Sequence, residues 1–364
     1  VWREYHESGN RLTDETCGRI REQMRGLEER KGRRFGDGSG RMPLIVAVRG
    51  GAPVSLPGAL STVLNVGLND DVVHALIEAG EDESFVRTTY LTAIRMYGEV
   101  VLGIPYDPFY EAIMRARAGN EGSIAIPLLK DLIRRFKEVL RSSRHPSLPH
   151  VFEQDLNRQL RNAIEAILSS WMSPTAMEAR RSRKPKVSDD MGTAVVIQEM
   201  VFGNRDELNC LSGVLFTRNQ RTGSNEMIIE WAPKVQCDKI VSGRLRKPLR
   251  HTADLHREFP DIFERLLTLR ERFEAFSKRP LDIELTVESR KIYVLQRRPL
   301  RMTSNATVRA MWDLVDEGKT NIQQASMIIN TALEQPERRC ARTFTIMSSW
   351  PGGSLLPTAP TAAS

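Results

Sequence analysis

The chain has 364 residues, which allows about two or three domains or subdomains with ample core. Its 40% hydrophobic and 27% charged content is that of a folded globular protein, and no apolar run approaches the ~20 residues needed to span a bilayer, so a helical membrane protein is not expected. The net charge of +7, from 53 basic and 46 acidic residues, suits a nucleotide, RNA or simply a solvated surface.

Four scattered cysteines (Cys17, Cys210, Cys237, Cys340) form no CxxC pair. They point away from a zinc site and towards an intracellular, reducing compartment, either cytoplasm or an organelle matrix. The first residues, VWREYHESGNRLTDETCGRIREQM, contain no secretory apolar core and read as the middle of a domain, so upstream sequence is expected. Residues 10–32 space Leu12, Ile20, Met24 and Leu27 as a helix does. Leu44 to Val48 is a continuous apolar run, read as a buried strand ending in a loop of Arg49, Gly50, Gly51, Ala52 and then Ser55 to Ala59. Glycines let backbone N–H groups approach an anion and an Arg binds phosphate bidentately, so this loop is either a phosphate cradle or a plain turn.

From Asn69 to about Trp171 the period is helical. Leu128, Leu129, Leu132, Ile133, Phe136, Val139 and Leu140 form the clearest stripe, and these stripes are core positions. Arg180 to Lys186, RRSRKPK, reads as a basic loop, solvated or facing RNA or an acidic partner. After Gly192 strands take over: Thr193 to Val201, then Gly213 to Asn219 and Glu226 to Trp231 around a turn at Gln220 to Ser224. Residues 253–278 form a helix, Val308–Glu317 and Ile322–Leu333 two more, and the Pro/Ala/Ser-rich tail from Ser348 is expected to be disordered.

One hairpin stands out, LDIELTVESRKIYVLQRR from Leu281 to Arg298, with its turn at Ser289-Arg290. Asp282, Glu284 and Thr286 alternate with Ile283, Leu285 and Val287, so the acids share one strand face. The returning strand brings Gln296 and Arg298 alongside. Such a cluster suits Mg²⁺ and a polyphosphate, because Mg²⁺ takes one or two carboxylates plus phosphate oxygens. A half-solvated hairpin with ordinary surface acids has the same pattern.

Several separated blocks resemble, in order, the N-terminal nucleotide-binding domain of the pyruvate phosphate dikinase and phosphoenolpyruvate synthase family. They are Phe35-Gly36-Asp37, LIVAVRGGAPVSLPGALSTVLNVGLND (44–70), Tyr97 to Val101, GTAVVIQEMVFGN (192–204), GVLFTRNQRTG (213–223) and LDIELTVESRKIYVLQRRP (281–299). The resemblance runs from about residue 4 to residue 304, with gaps. It implies an α+β, ATP-grasp-type nucleotide-binding domain with an inserted helical subdomain. The lobes would be 1–68 (first lobe, part a), 69–156 (helical insert), 157–203 (first lobe, part b) and 204–304 (second lobe), with 305–364 a helical linker and tail.

By that resemblance Arg49 contacts the ATP phosphates together with Gly50 and Gly51. Gln198, Met200 and Val201 line the adenine pocket. Asp282 and Glu284 lie near the Mg²⁺-bound polyphosphate, and Gln296 and Arg298 are the active-site Gln and Arg that follow them. The implied cofactors are ATP and Mg²⁺, and the implied partner is a swivelling phosphohistidine domain, in trans or in missing sequence, that carries phosphate towards phosphoenolpyruvate.

The departures are specific. The family's glycine-rich segment with its ATP-binding lysine falls upstream of Val1. Its second phosphate-contacting arginine is missing after Tyr90, where Leu91 and Thr92 follow and Arg95 comes a helical turn later. Arg-Ser-Gly becomes Arg49-Gly50-Gly51, and a segment rich in Asn, Gln, Gly and Glu becomes Pro233 to Asp238. None of the six histidines has a Thr-Ser-His context. Two expectations therefore stand: an ATP-binding phosphotransferase part, or a catalytically degenerate relative serving as a binding or structural module associated with RNA or an assembly.

Overall fold

The structure, a computed structural model, describes residues 1–52, 56, 59–117, 125–182, 187–243, 245 and 248–334. Pro53, Val54, Ser55, Pro57 and Gly58 of the expected loop, residues 183–186 of the basic stretch, and the tail from residue 335 lie outside the described residues. The chain is of mixed α+β type and divides into two compact units, Val1–Val201 and Phe202–Ser364.

In the first unit α1 (Trp2–Glu7) leads to α2 (Asp14–Lys31). The Thr13 hydroxyl caps α2 by accepting the Thr16 N–H, and Gly32 ends it in the left-handed region at φ 62°. β1 (Val46–Gly51) and β2 (Thr62–Val66) precede a helical run of α3 (Asp70–Glu78), α4 (Glu83–Met96), α5 (Tyr106–Arg117), α6 (Ile126–Leu140), α7 (Leu156–Ser170) and α8 (Pro174–Arg181). β3 (Ala194–Glu199) then completes an antiparallel sheet of order β2-β1-β3. β1 is its central strand, which is why Leu44 to Val48 reads as unbroken apolar sequence: both faces are covered.

The helices pack as their stripes predict. Leu129, Leu132, Phe136 and Leu140 of α6 are buried, with the Phe136 ring edge-on to Phe109 of α5 at 5.1 Å. A π-helical turn, Tyr97–Val101, follows α4. It brings Gly98 so close to α5 and α6 that a Cβ there would lie 2.5 Å from the Phe109 ring and 2.7 Å from Leu140. A cavity of about 370 Å³ opens between α2 (Ile20, Met24, Leu27), Ile164 of α7, and Val195 and Ile197 of β3.

The second unit contains β4 (Leu211–Phe216), β5 (Ile228–Pro233), α9 (Cys237–Val241), α10 (Thr252–Glu258), α11 (Pro260–Ser277), β6 (Leu281–Glu288), β7 (Lys291–Pro299), α12 (Ser304–Asp316) and α13 (Ile322–Leu333). Its antiparallel sheet has the order β5-β4-β6-β7. Strand alternation sorts the side chains. Leu211, Leu215, Ile229, Trp231, Ile283, Leu285 and Val287 pack with Leu255, Phe259, Ile262 and Leu266 of the α10–α11 segment, while Val214, Phe216 and Ala232 pack with Ile240 of α9 on the opposite face.

The single helix expected over 253–278 is two, because Phe259 leaves helical geometry at φ −136° and Pro260 opens α11 at a position needing no N–H. The last pair of helices begins earlier than expected, at Ser304, capped by the Thr303 hydroxyl. A buried ionic network holds that pair to the sheet unit. Arg218, fully buried just after β4, donates from Nε and Nη2 to Glu274 of α11 at 3.1 Å each, and from Nη2 to Glu317, just after α12, at 2.7 Å. Lys319 adds contacts to Glu274 at 3.1 Å and Glu317 at 2.9 Å, and pairs with Glu271.

Candidate functional site

The hairpin of β6 and β7 turns at Ser289 and Arg290, both with positive φ (48° and 60°), as a two-residue turn matching strand twist requires. A regular ladder from that turn would set Leu295 opposite Glu284 and Arg297 opposite Asp282. The register instead shifts by one residue between Glu284 and Leu285, pairing Glu284 with Gln296 and Asp282 with Arg298. This β-bulge at Leu295 turns Gln296 and Arg298 onto the acidic face.

Arg298 Nη2 donates to Glu284 Oε1 at 2.5 Å and to Asp282 Oδ2 at 3.3 Å, with all three side chains between 9% and 14% exposed. They are therefore not surface acids of a half-solvated hairpin. One guanidinium bridges two adjacent carboxylates inside a partly desolvated surface, where charge interactions are stronger than in water, and it offsets only one of their two charges. A phosphate would compete for the guanidinium and a cation for the carboxylates.

Two features of this face escaped the sequence reading. The first is Glu230 of β5, in the row Glu230–Val214–Glu284 across the sheet. Burial pushes its carboxyl above the usual carboxylate range, with His251 opposing. Its signal in the sequence was a lone acid inside the apolar strand IIEWA. The second is the hydroxyl pair of Ser212 and Thr286, 2.9 Å apart and buried beside Glu284.

In the first unit β1 and β3 bring two expected residues together: Arg49 Nη1 donates to Gln198 Oε1 at 3.3 Å. Met200 is buried, its N–H bonded to the Ile45 carbonyl at 2.8 Å, and Val201 is half-buried. The strand does not end at Arg49, as the sequence suggested. Arg49, Gly50 and Gly51 are ladder residues of β1 paired with Val196, Val195 and Ala194. The neighbours pack closely on these glycines: a Cβ would lie 2.9 Å from the Leu60 side chain at Gly50 and 3.0 Å from that of Val196 at Gly51. Arg95, a helical turn after Leu91 and Thr92, is buried and its Nη1 donates to Glu99 Oε1 at 2.8 Å. Tyr90 donates to Asp70 at 2.9 Å, and Lys137 Nζ binds the same carboxylate at 2.6 and 2.7 Å.

Arg180 also departs from expectation. It is fully buried, stacked on Trp171 at 4.1 Å, with Nε donating to Asp189 at 2.9 Å, so it is no part of an exposed basic loop. Among the described residues no group of three or more His, Cys, Asp or Glu is arranged to hold a metal, and no helix is long and apolar enough to cross a membrane. The Asp282–Glu284 pair supplies two carboxylates, a donor set that fits Mg²⁺ completing its shell with water and phosphate oxygens.

The profile of the family described as pyruvate phosphate dikinase, AMP/ATP-binding domain, matches residues 12–248. The chain belongs to this family. The pyruvate, phosphate dikinase of Clostridium symbiosum is 34% identical over 366 residues, covering 99% of this chain and 41% of that protein. That of Rickettsia conorii is 34% identical over 312 residues (84% of this chain, 34% of that protein). The chloroplastic pyruvate, phosphate dikinase of Mesembryanthemum crystallinum is 35% identical over 320 residues (86% and 32%). The chain thus spans about two fifths or less of the length of these dikinases. The family resemblance read from the ordered blocks is borne out, and the hairpin falls within the 99% of the chain aligned with the Clostridium dikinase.

Proposed function

We propose that this chain binds ATP with Mg²⁺ and is the nucleotide-handling part of a phosphotransferase of the pyruvate phosphate dikinase type, moving phosphate from ATP to a histidine carried elsewhere, en route to phosphoenolpyruvate. The observation that carries the reading is the bulged hairpin, which collects two carboxylates, an amide and a guanidinium on one face. We read the two units as lobes of an ATP-grasp fold, with α3 to α6 as the helical insert. Arg298 would bind phosphate oxygens with charge-assisted hydrogen bonds, and Gln296 would orient them. By the family resemblance, Arg49 with Gly50 and Gly51 beside it would contact phosphate, and Gln198, Met200 and Val201 would line the base. Asp282 and Glu284 would hold Mg²⁺, which when bound supplies charge neutralisation for the polyphosphate. The protein's contribution is preorganised positive charge, worth most where charge develops during transfer.

ATP–Mg²⁺ at ~100 times its dissociation constant should stabilise the fold by ~2.7 kcal/mol. A chemical-denaturation series with and without millimolar ATP–Mg²⁺ tests this, and an unmoved midpoint in a folded sample sinks the proposal. Asp282→Asn and Arg298→Met should each weaken binding about tenfold or more while the protein remains folded. The alternative, a degenerate module facing RNA, loses one of its basic residues because Arg180 is buried and paired.

A further inference from the structure

We propose that Ser212 is a positioning residue that ties the segment roofing the acidic face to the acidic strand itself, so that the ribose-side and phosphate-side contacts of one nucleotide are set by a single buried hydroxyl. The proposal rests on the nucleotide reading above.

The Ser212 Oγ lies at a junction of separate pieces of chain. It donates to the Val235 carbonyl at 2.9 Å and lies 2.9 Å from the Thr286 hydroxyl. Ser212 and Thr286 are buried, at 0% and 1% exposure. Thr286 is two residues from Glu284 on the same strand face. Val235 leads into α9, whose Ile240 packs against Val214, Phe216 and Ala232 on that face, so residues 235–241 form its roof. The backbone at Gly203 is pressed onto the same point: a Cβ there would lie 2.3 Å from Ser212 Oγ and 2.5 Å from the Val235 oxygen. The hydroxyl thus fixes the roof against β6 at the row next to Glu284 and Gln296. A ligand lying along this face with its polyphosphate at Asp282, Glu284 and Arg298 would extend its other end beneath or beside the roof. Ser212 touches neither end of such a ligand; it sets the distance between the surfaces that do.

The arrangement predicts a split between ligands. Inorganic tripolyphosphate with Mg²⁺ draws on the phosphate-binding side chains alone, whereas ATP–Mg²⁺ needs the roof as well. Titration calorimetry on the full 364-residue chain should show Ser212→Ala weakening ATP–Mg²⁺ about fivefold or more, with Mg²⁺-tripolyphosphate changed less than about twofold. Thr286→Val, which keeps side-chain volume and the Ser212–Val235 bond, should show the same split at smaller amplitude. It carries the test if Ser212→Ala does not fold. Equal losses for the two ligands, or no loss for either, in folded variants overturn the proposal. A wild-type chain that binds neither ligand overturns the nucleotide reading itself, and a wild-type chain that binds both while the variants show no split overturns only the role of Ser212.

Discussion

Removing the Arg298 guanidinium would leave Asp282 and Glu284 neighbouring each other in a partly desolvated surface. Breaking a buried pair by deleting one partner costs about 3–5 kcal/mol, more than the pair itself contributes. Arg298→Ala is therefore expected to lower the urea midpoint sharply, and Arg298→Ala combined with Glu284→Gln should recover part of the loss, a coupling that a double-mutant cycle measures directly. Glu230 gives a prediction of opposite sign. Its folded pKa is raised by burial, so the native state holds the proton more tightly than the unfolded chain. The stability this confers is full below the unfolded carboxylate range and is lost as pH rises through the folded pKa. Glu230→Gln stays in the neutral form. It should match the wild type near about pH 4 and exceed it near about pH 8 in parallel urea titrations. Neither residue's setting was fully legible in the sequence. Alternation placed the acids on one face, but which residues of the returning strand oppose them depends on a one-residue bulge that no local pattern around Leu295 announces.

At the scale of elements, the α12–α13 pair depends on Arg218. Arg218→Met should release it, raising amide exchange across residues 304–333 before the sheet exchanges, because Glu274 and Glu317 lose their shared partner. Acid should do the same more gently. Burial opposes ionisation of Glu317, but hydrogen bonds from Lys319 and Arg218 outweigh it and hold its carboxyl below the usual range. A depressed folded pKa gives stability that is present above the unfolded pKa and is lost as pH falls through the folded one. Exchange in α12 should therefore accelerate on acidification ahead of exchange in β4 and β6. The amphipathic elements were readable because their periods are intrinsic: the α6 stripe and the β6 alternation appear in the structure as read. Gly50 and Gly51 were misread as a loop because a glycine pair has the same appearance whether it frees the backbone or makes room for Leu60 and Val196. Arg218, inside the recognised block GVLFTRNQRTG, carried no mark of its ionic role, since its partners lie 56 and 99 residues away.

For the whole molecule, two units with separate sheets predict separable behaviour. Residues 202–334 contain the acidic face, its roof and the core between the sheet and α10–α11. That fragment should fold alone and bind Mg²⁺-tripolyphosphate, whereas residues 1–201 should not; calorimetry on the two fragments decides. Family membership came from blocks in order along the chain, and the division after Val201 comes from packing. The two sheets also differ at their margins. β7 ends its sheet with Lys291, Arg297, Pro299 and a bulge. β3 ends the other with the uncharged run Ala194-Val195-Val196-Ile197-Gln198, Val196 being 43% exposed. Charge, proline and a bulge discourage edge-to-edge association between molecules, and an uncharged apolar edge invites it. Handling of the protein should follow this asymmetry: the 1–201 fragment should form assemblies that scatter light at concentrations where 202–334 stays monomeric, and Val196→Lys alone should restore its solubility.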